Sequence, residues 1–129
     1  MNPEDIKYHR EHSWVRVEGK RAIIGITDYA QHQLGDIVYV DLPEVETDID
    51  ADSELSEIES TKSTSPVISP VSGKVAEINE DLADSPEIIN EDPYGNGWLA
   101  VLEMSDPSEA NDLMSKSEYE HFLKEEEEK

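Results

Sequence analysis

Lys62 is where covalent chemistry is most easily placed on this chain. It is the only Lys or Arg between Arg21 and Lys74, an interval that holds eleven Asp and Glu residues. Its neighbours Ser60, Thr61, Ser63 and Thr64 are short and polar, so nothing bulky would cover its amine. A lone primary amine on an exposed turn is a handle that another protein can acylate. Taken alone, it is equally a solvated surface lysine. Other groups invite different chemistry. Glu57 and Glu59 could be cast as an acid–base pair, but glycoside hydrolysis also needs a sugar cleft, which a chain of this length barely allows. His9 and His12 form His-x-x-His, whereas the helical zinc motif needs i, i+4 spacing with a Glu beside the first His. Tyr94, Gly95, Gly97 and Trp98 would serve as a ligand loop or as a structural turn around a buried Trp. No catalytic residue and no metal site is therefore expected. The chain has no cysteine, which excludes a disulfide framework and a thiolate nucleophile.

The residues around the lysine read Glu59-Ser60-Thr61-Lys62-Ser63, closed by Pro70-Val71-Ser72-Gly73. Glu59 lies three before the lysine and Gly73 eleven after it. Upstream stand Ile24-Gly25-Ile26-Thr27-Asp28-Tyr29-Ala30-Gln31, then Leu34-Gly35-Asp36-Ile37-Val38, then Leu42-Pro43-Glu44-Val45. Downstream stand Asn90, Asp92-Pro93-Tyr94 and Gly97-Trp98-Leu99. This ordered set resembles the glycine cleavage system H protein family over almost the whole chain. Several motifs in register are far more specific than one lysine in a turn.

The resemblance implies a lipoyl-carrying shuttle, not an enzyme, with lipoate amide-linked to Lys62 and with Glu59 and Gly73 in lipoylation recognition. It implies an aminomethyl intermediate of glycine breakdown moved between three enzymes. These are the pyridoxal-phosphate glycine decarboxylase (P protein), the tetrahydrofolate-dependent aminomethyltransferase (T protein) and dihydrolipoamide dehydrogenase (L protein). A lipoate-attaching enzyme is the fourth partner. Since the chain has no thiol, a dithiolane on Lys62 would supply the sulfur. Two other readings stay open: an H-like protein that relays or stores lipoate, and an unmodified interaction module of the same fold. Biotinyl domains usually place Met beside the lysine, and 2-oxo acid dehydrogenase lipoyl domains place Asp before it. Thr61 and Ser63 fit neither, and they also depart from the family's common Val and Ala. Ser13 stands where the family usually has Glu, in His12-Ser13-Trp14, and would face the amine of a docked, loaded arm. Glu46 and Asp52 stand where the family often has Gly, so those turns are expected to differ in shape.

The elements that must position these residues follow from pattern. Trp14 to Val17 and Arg21 to Ile26, around Glu18-Gly19-Lys20, read as a hairpin. Thr27 is a natural N-cap and Gly35 a natural stop for one short helix. Ile37 to Leu42 is apolar on both faces and predicts a central, buried strand. Leu55 and Ile58 before Lys62, with Val67, Ile68 and Val71 after it, predict two strands with the lysine at their tip. Lys74 to Asn79 reads as the strand returning from that hairpin. Leu82, Ile88 and Ile89 fall in a polar loop with Pro86. Trp98 to Met104 is the last strand. Asp106-Pro107-Ser108-Glu109 starts a helix with Glu109 reaching back, and Ser115 with Glu118 caps a second. Tyr119, Phe122 and Leu123 form its apolar stripe. The fold expected is mostly β, a small sandwich or flattened barrel. By resemblance it is a barrel-sandwich hybrid of the lipoyl and biotinyl type, with a short helix after the first hairpin and C-terminal helices.

One carrier domain over residues 1–124 is expected, with 125–129 an acidic, frayed tail. The net charge is −22 over 129 residues. That balance argues against nucleic acid, whose phosphates are met by Lys and Arg, and against anionic membrane surfaces. No targeting segment is legible in Met1 to His12 and no apolar run is long enough to span a bilayer, so the expected location is cytoplasmic.

Overall fold

The computed structural model describes residues 6–127, with side chains to Glu125. Among the described residues, nine strands form two antiparallel sheets. The first has six strands in the order β1 (Ile6–Tyr8), β2 (Ser13–Glu18), β3 (Arg21–Ile26), β9 (Ala100–Met104), β8 (Gly73–Ile78) and β5 (Asp48–Ile49). The second has three, β4 (Ile37–Asp41), β6 (Glu54–Ser60) and β7 (Thr64–Ile68), with β6 in the middle. The mostly β architecture and the first hairpin agree with the sequence reading. Helix α1 (Asp28–Leu34) follows β3 as expected. Thr27 Oγ1 accepts from the Ala30 N–H, and Gly35 ends the helix at φ 79° and ψ −149°.

Val15, Ile24, Leu55, Val75 and Leu102 fill a core on the six-stranded sheet. Ile37, Val40, Ile58, Val67 and Leu99 fill a second one on the three-stranded sheet. A third cluster gathers Ile6, Tyr8, Trp14 and Tyr119 under α4 (Lys116–Glu127). Alternation along β6 sends Leu55 to the first core and Ile58 to the second, so this strand ties the two sheets together.

Four local expectations are corrected. First, β4 is an edge strand, not a central one. A bulge between Ile37 and Tyr39 breaks its alternation, so Ile37 and Val40 are buried while Val38 and Tyr39 are 52% and 51% exposed. Second, the strand that returns from the lysine hairpin is β7, not β8. β7 pairs with β6, whereas β8 crosses to the other sheet and pairs with β5 and β9. Third, the polar loop holds two one-turn helices, α2 (Asp81–Asp84) and α3 (Ile88–Glu91), which bury Leu82 and Ile89 completely. Burying each of these side chains is worth about 1.5–3 kcal/mol, enough to fold a polar segment onto the sheet. Fourth, Pro107–Asp112 is a 3-10 helix capped by Asp106, and Glu109 does not reach back. Its carboxylate accepts instead from the N–H and hydroxyl of Ser72.

The second C-terminal cap forms as expected. The Glu118 carboxylate accepts from Ser115 N–H and Ser115 Oγ accepts from Glu118 N–H. Helix α4 continues to Glu127; residues 128–129 of the expected tail and residues 1–5 lie outside the described residues.

Candidate functional site

Lys62 sits at the tip of the β6–β7 hairpin, exposed, in the three-residue connection Thr61–Ser63. The turn is tied at several points. Ser60 N–H donates to Ser63 O at 2.8 Å. Ser60 Oγ accepts from the N–H groups of Lys62 (3.3 Å) and Ser63 (3.1 Å). Thr61 N–H donates outward to Asp36 O at 3.0 Å, fastening the tip to the turn between α1 and β4. The lysine side chain runs over that same turn. A Cβ on Gly35 would lie 3.0 Å from Lys62 Cε and 3.7 Å from Nζ. Gly35 is needed twice here, for a backbone angle closed to other residues and for the clearance. Asn90 of α3 locks the turn from below. Its Nδ2 donates to Gly35 O and to Gln31 Oε1, and its Oδ1 accepts from Ile37 N–H. The Lys62 amine makes no ion pair among the described residues.

A cleft of about 290 Å³ opens beside the tip. One wall is α1, with Tyr29, Ala30, Gln33 and Leu34; the other is the hairpin, with Ile58 and the run from Ser63 to Val67. The connection from β1 to β2 closes one end with Glu11, His12 and Ser13. Its lining mixes apolar side chains, Ile26, Ala30, Leu34, Pro66 and Val67, with polar ones on both walls, Gln33 on α1 and Ser63, Thr64 and Ser65 on the hairpin.

The sequence-selected residues are distributed as follows. Glu59 is exposed on β6, opposite Tyr39 on one side and Thr64 on the other. Glu57 lies two residues back on the same strand face. Gly73 is not in the lysine turn. It opens β8 in the other sheet, where a Cβ would lie 2.4 Å from Glu103 O, so a backbone approach requires glycine there. Ser13 does not offer its hydroxyl to the cleft: it is 1% exposed and Oγ donates to Ile68 O at 2.7 Å. His9 and His12 diverge. His9 Nδ1 accepts from Glu11 N–H and Nε2 meets Asp52 Oδ1 at 2.6 Å, while His12 Nδ1 meets Tyr119 Oη at 2.8 Å. The Tyr94–Trp98 loop is a structural turn. Tyr94 Oη accepts from Asp28 N–H and Trp14 Nε1 donates to Pro93 O. Burial pushes the Tyr94 hydroxyl pKa up. Glu46 and Asp52 both hold left-handed angles, φ 79° and 67°, so the turns keep the conformation glycine would favour.

Sequence reasoning missed Asn90, Asp36 and the second use of Gly35. Asn90 stands 28 residues from Lys62 and nothing local announces the contact. Gly35 carries two signals, and only the helix stop was read.

Comparison with known proteins gives a consistent result. Residues 6–126 match the family model described as glycine cleavage H-protein. The chain is 58% identical over 121 residues to glycine cleavage system H protein 4 of Aquifex aeolicus (strain VF5), covering 94% of this chain and 71% of that protein. It is 55% identical over 121 residues to the glycine cleavage system H protein of Coprothermobacter proteolyticus, covering 93% and 95%. The crystal structure of a glycine cleavage system H protein from Mycobacterium marinum superposes with a TM-score of 0.87 at 36% identity, covering 95% of this chain and 99% of that one.

Proposed function

The chain belongs to the glycine cleavage H-protein family, and from that premise we propose that Lys62 holds lipoate in amide linkage. The lipoyl-carrier role in glycine cleavage is shared with its relatives. The observation that supports Lys62 is the tied turn: an exposed amine with no ion pair among the described residues is held out on a hydrogen-bonded tip, with a cleft beginning at the next residue. The cleft fits the group. Its apolar side chains suit a hydrocarbon chain ending in a dithiolane, and Gln33, Ser63, Thr64 and Ser65 among them offer hydrogen bonds to a polar load. When attached, lipoate would supply a disulfide whose S–S bond opens, one sulfur taking the one-carbon amine fragment of glycine and the other becoming a thiol.

The protein's own residues do the rest. Ser60 and Asp36 hold the tip still, and Gly35 leaves the lysine stem room to leave the surface. Leu34, Ile58 and Pro66 would cover the arm's apolar stretch and exclude water from it. Glu59, exposed three residues before the lysine, is the group an attaching enzyme would read. Gly73 contributes through the close β8–β9 approach it permits. The partners are the P, T and L proteins, each reached in turn by a tethered group kept at high effective concentration. The carrier domain proposed is 1–124, and α4 runs on from it into the acidic stretch as far as Glu127. The location proposed is cytoplasmic; no described helix is long and apolar enough to cross a membrane.

Intact-mass and peptide analysis after coexpression with a lipoate ligase tests the reading. One lipoyl group on the Lys62 peptide is expected. No modification there, or modification of Lys74 instead, overturns it.

A further inference from the structure

The end of α1 and the lysine tip share an anchor in the side chain of Asn90. Asn90 stands on α3, half-buried, and reaches the turn that closes α1. Its Oδ1 accepts from Ile37 N–H at 3.0 Å, and its Nδ2 donates to Gly35 O at 2.9 Å and to Gln31 Oε1 at 2.8 Å. The two backbone partners fix which way the amide faces, since an N–H only donates and a carbonyl only accepts. Gln31, 6% exposed, is oriented in turn, because its Nε2 donates to Asp28 Oδ1 at 2.9 Å. Between Gly35 and Ile37 lies Asp36, whose carbonyl accepts the Thr61 N–H of the hairpin tip at 3.0 Å. Asn90 therefore brackets the residue to which the tip is tied.

An amide suits this place because one short side chain must accept once and donate twice. A carboxylate would still accept from Ile37 N–H, but its other oxygen would face Gly35 O and Gln31 Oε1. Turning Gln31 over to meet it would bring Oε1 against the Asp28 carboxylate. Tyr94, four residues on, grips the other end of α1, where its Oη accepts from Asp28 N–H at 2.9 Å. That bond lies at the far end of the helix from the lysine turn.

We propose that Asn90 is a positioning residue for the acylation of Lys62. It fixes the Gly35–Ile37 turn, and the turn fixes the hairpin tip through Asp36 O. In the acylation step the Lys62 amine attacks the carbonyl carbon of a lipoyl adenylate made from lipoate and ATP. The amide bond forms, AMP leaves and the amine gives up its proton. Without Asn90 the tip samples several positions and only the competent fraction is engaged, so the apparent KM for this protein rises while kcat holds. The placement of the tip stands on the hydrogen bonds alone; its consequence for acylation rests on the reading of Lys62 given above.

The experiment has two arms. In unmodified protein, amide hydrogen exchange is followed by NMR at Thr61, with Val75 N–H, bonded to Thr47 O in the other sheet, as the reference. In the wild type both Nδ2 protons of Asn90 should exchange slowly. Asn90→Asp and Asn90→Ala should speed Thr61 exchange severalfold beyond any change at Val75, whereas Tyr94→Phe should not. In the second arm a lipoate ligase acts on each protein with lipoate and ATP. Asn90→Asp should raise KM severalfold with kcat held, and Tyr94→Phe should leave both near the wild-type values. Rapid exchange of the wild-type Asn90 side chain overturns the proposal without any variant. So does Thr61 exchange that only tracks Val75, or a KM that Asn90→Asp leaves unchanged or that Tyr94→Phe raises equally. If wild-type Lys62 accepts no lipoate, the reading of the lysine fails, while the exchange arm still decides whether Asn90 holds the tip.

Discussion

Replacing Gly35 should be felt in two ways. Its backbone angles lie outside the range of other residues, and forcing a side chain there costs about 1–3 kcal/mol. The same Cβ meets the lysine stem. Gly35→Ala is expected to lower unfolding free energy by that amount in urea melts and to slow lipoylation by a ligase, read by mass shift. Glu46 and Asp52 allow a paired test in the opposite direction. Both pay for left-handed angles, so Glu46→Gly should gain about 1 kcal/mol. Asp52→Gly should gain less or lose, because the buried His9 ring would be left without the carboxylate at 2.6 Å. Equal gains from both would show that the His9 contact contributes nothing. Tyr8 gives a pH test. Burial first, then the nearby Tyr94 and Glu120, push its hydroxyl up to about 12. A raised pKa means that the folded state favours the neutral phenol. That contribution is complete below about 10 and is lost as pH rises toward 12. Ultraviolet titration should find Tyr8 ionising last or together with unfolding, and Tyr8→Phe should flatten the alkaline limb of stability.

At the level of elements, α4 depends on its first turn. Hydrogen bonds from the Ser115 N–H and hydroxyl hold the Glu118 carboxyl below its usual pKa. A lowered pKa stabilises the helix above the ordinary carboxylate range and ceases to do so as pH falls through the lowered value. Acid titration followed by NMR of α4 should show its first turn loosening in that window, and Glu118→Gln should remove the dependence. This cap was legible in the sequence because its partners are three residues apart. So were the first hairpin, α1 and the exposed lysine tip, each written in a local pattern. The strand after the lysine was legible in Val67 and Ile68, and β8 was misread because the crossing to the other sheet after Pro70 leaves no local mark. β4 was misread because a bulge, which no composition announces, converts a two-faced apolar run into one with Val38 and Tyr39 in water. Of the site, the tip was visible and the floor was not. Asn90, Asp36 and the cleft walls come from four separate elements and meet only in three dimensions.

For the molecule as a whole, a charge of −22 on 129 residues crowds like charges on a small surface. Repulsion of this kind opposes the compact state and is screened over about 8 Å at physiological ionic strength. Melting temperature should therefore rise from low salt toward molar potassium chloride; a flat or falling trend would count against this. The fastened tip has a different consequence. Ser60 and Asp36 tie the hairpin tip to the turn that Asn90 holds, so with lipoate on Lys62 as proposed, a load would be handed over with little bending of the hairpin toward the next enzyme. Each visit would then end when the entire body lets go and tumbles to another dock. Traffic through the pathway would then be paced by departure rates and solvent viscosity rather than by loop motion, and a tighter grip by any one partner would act as a brake on the rest.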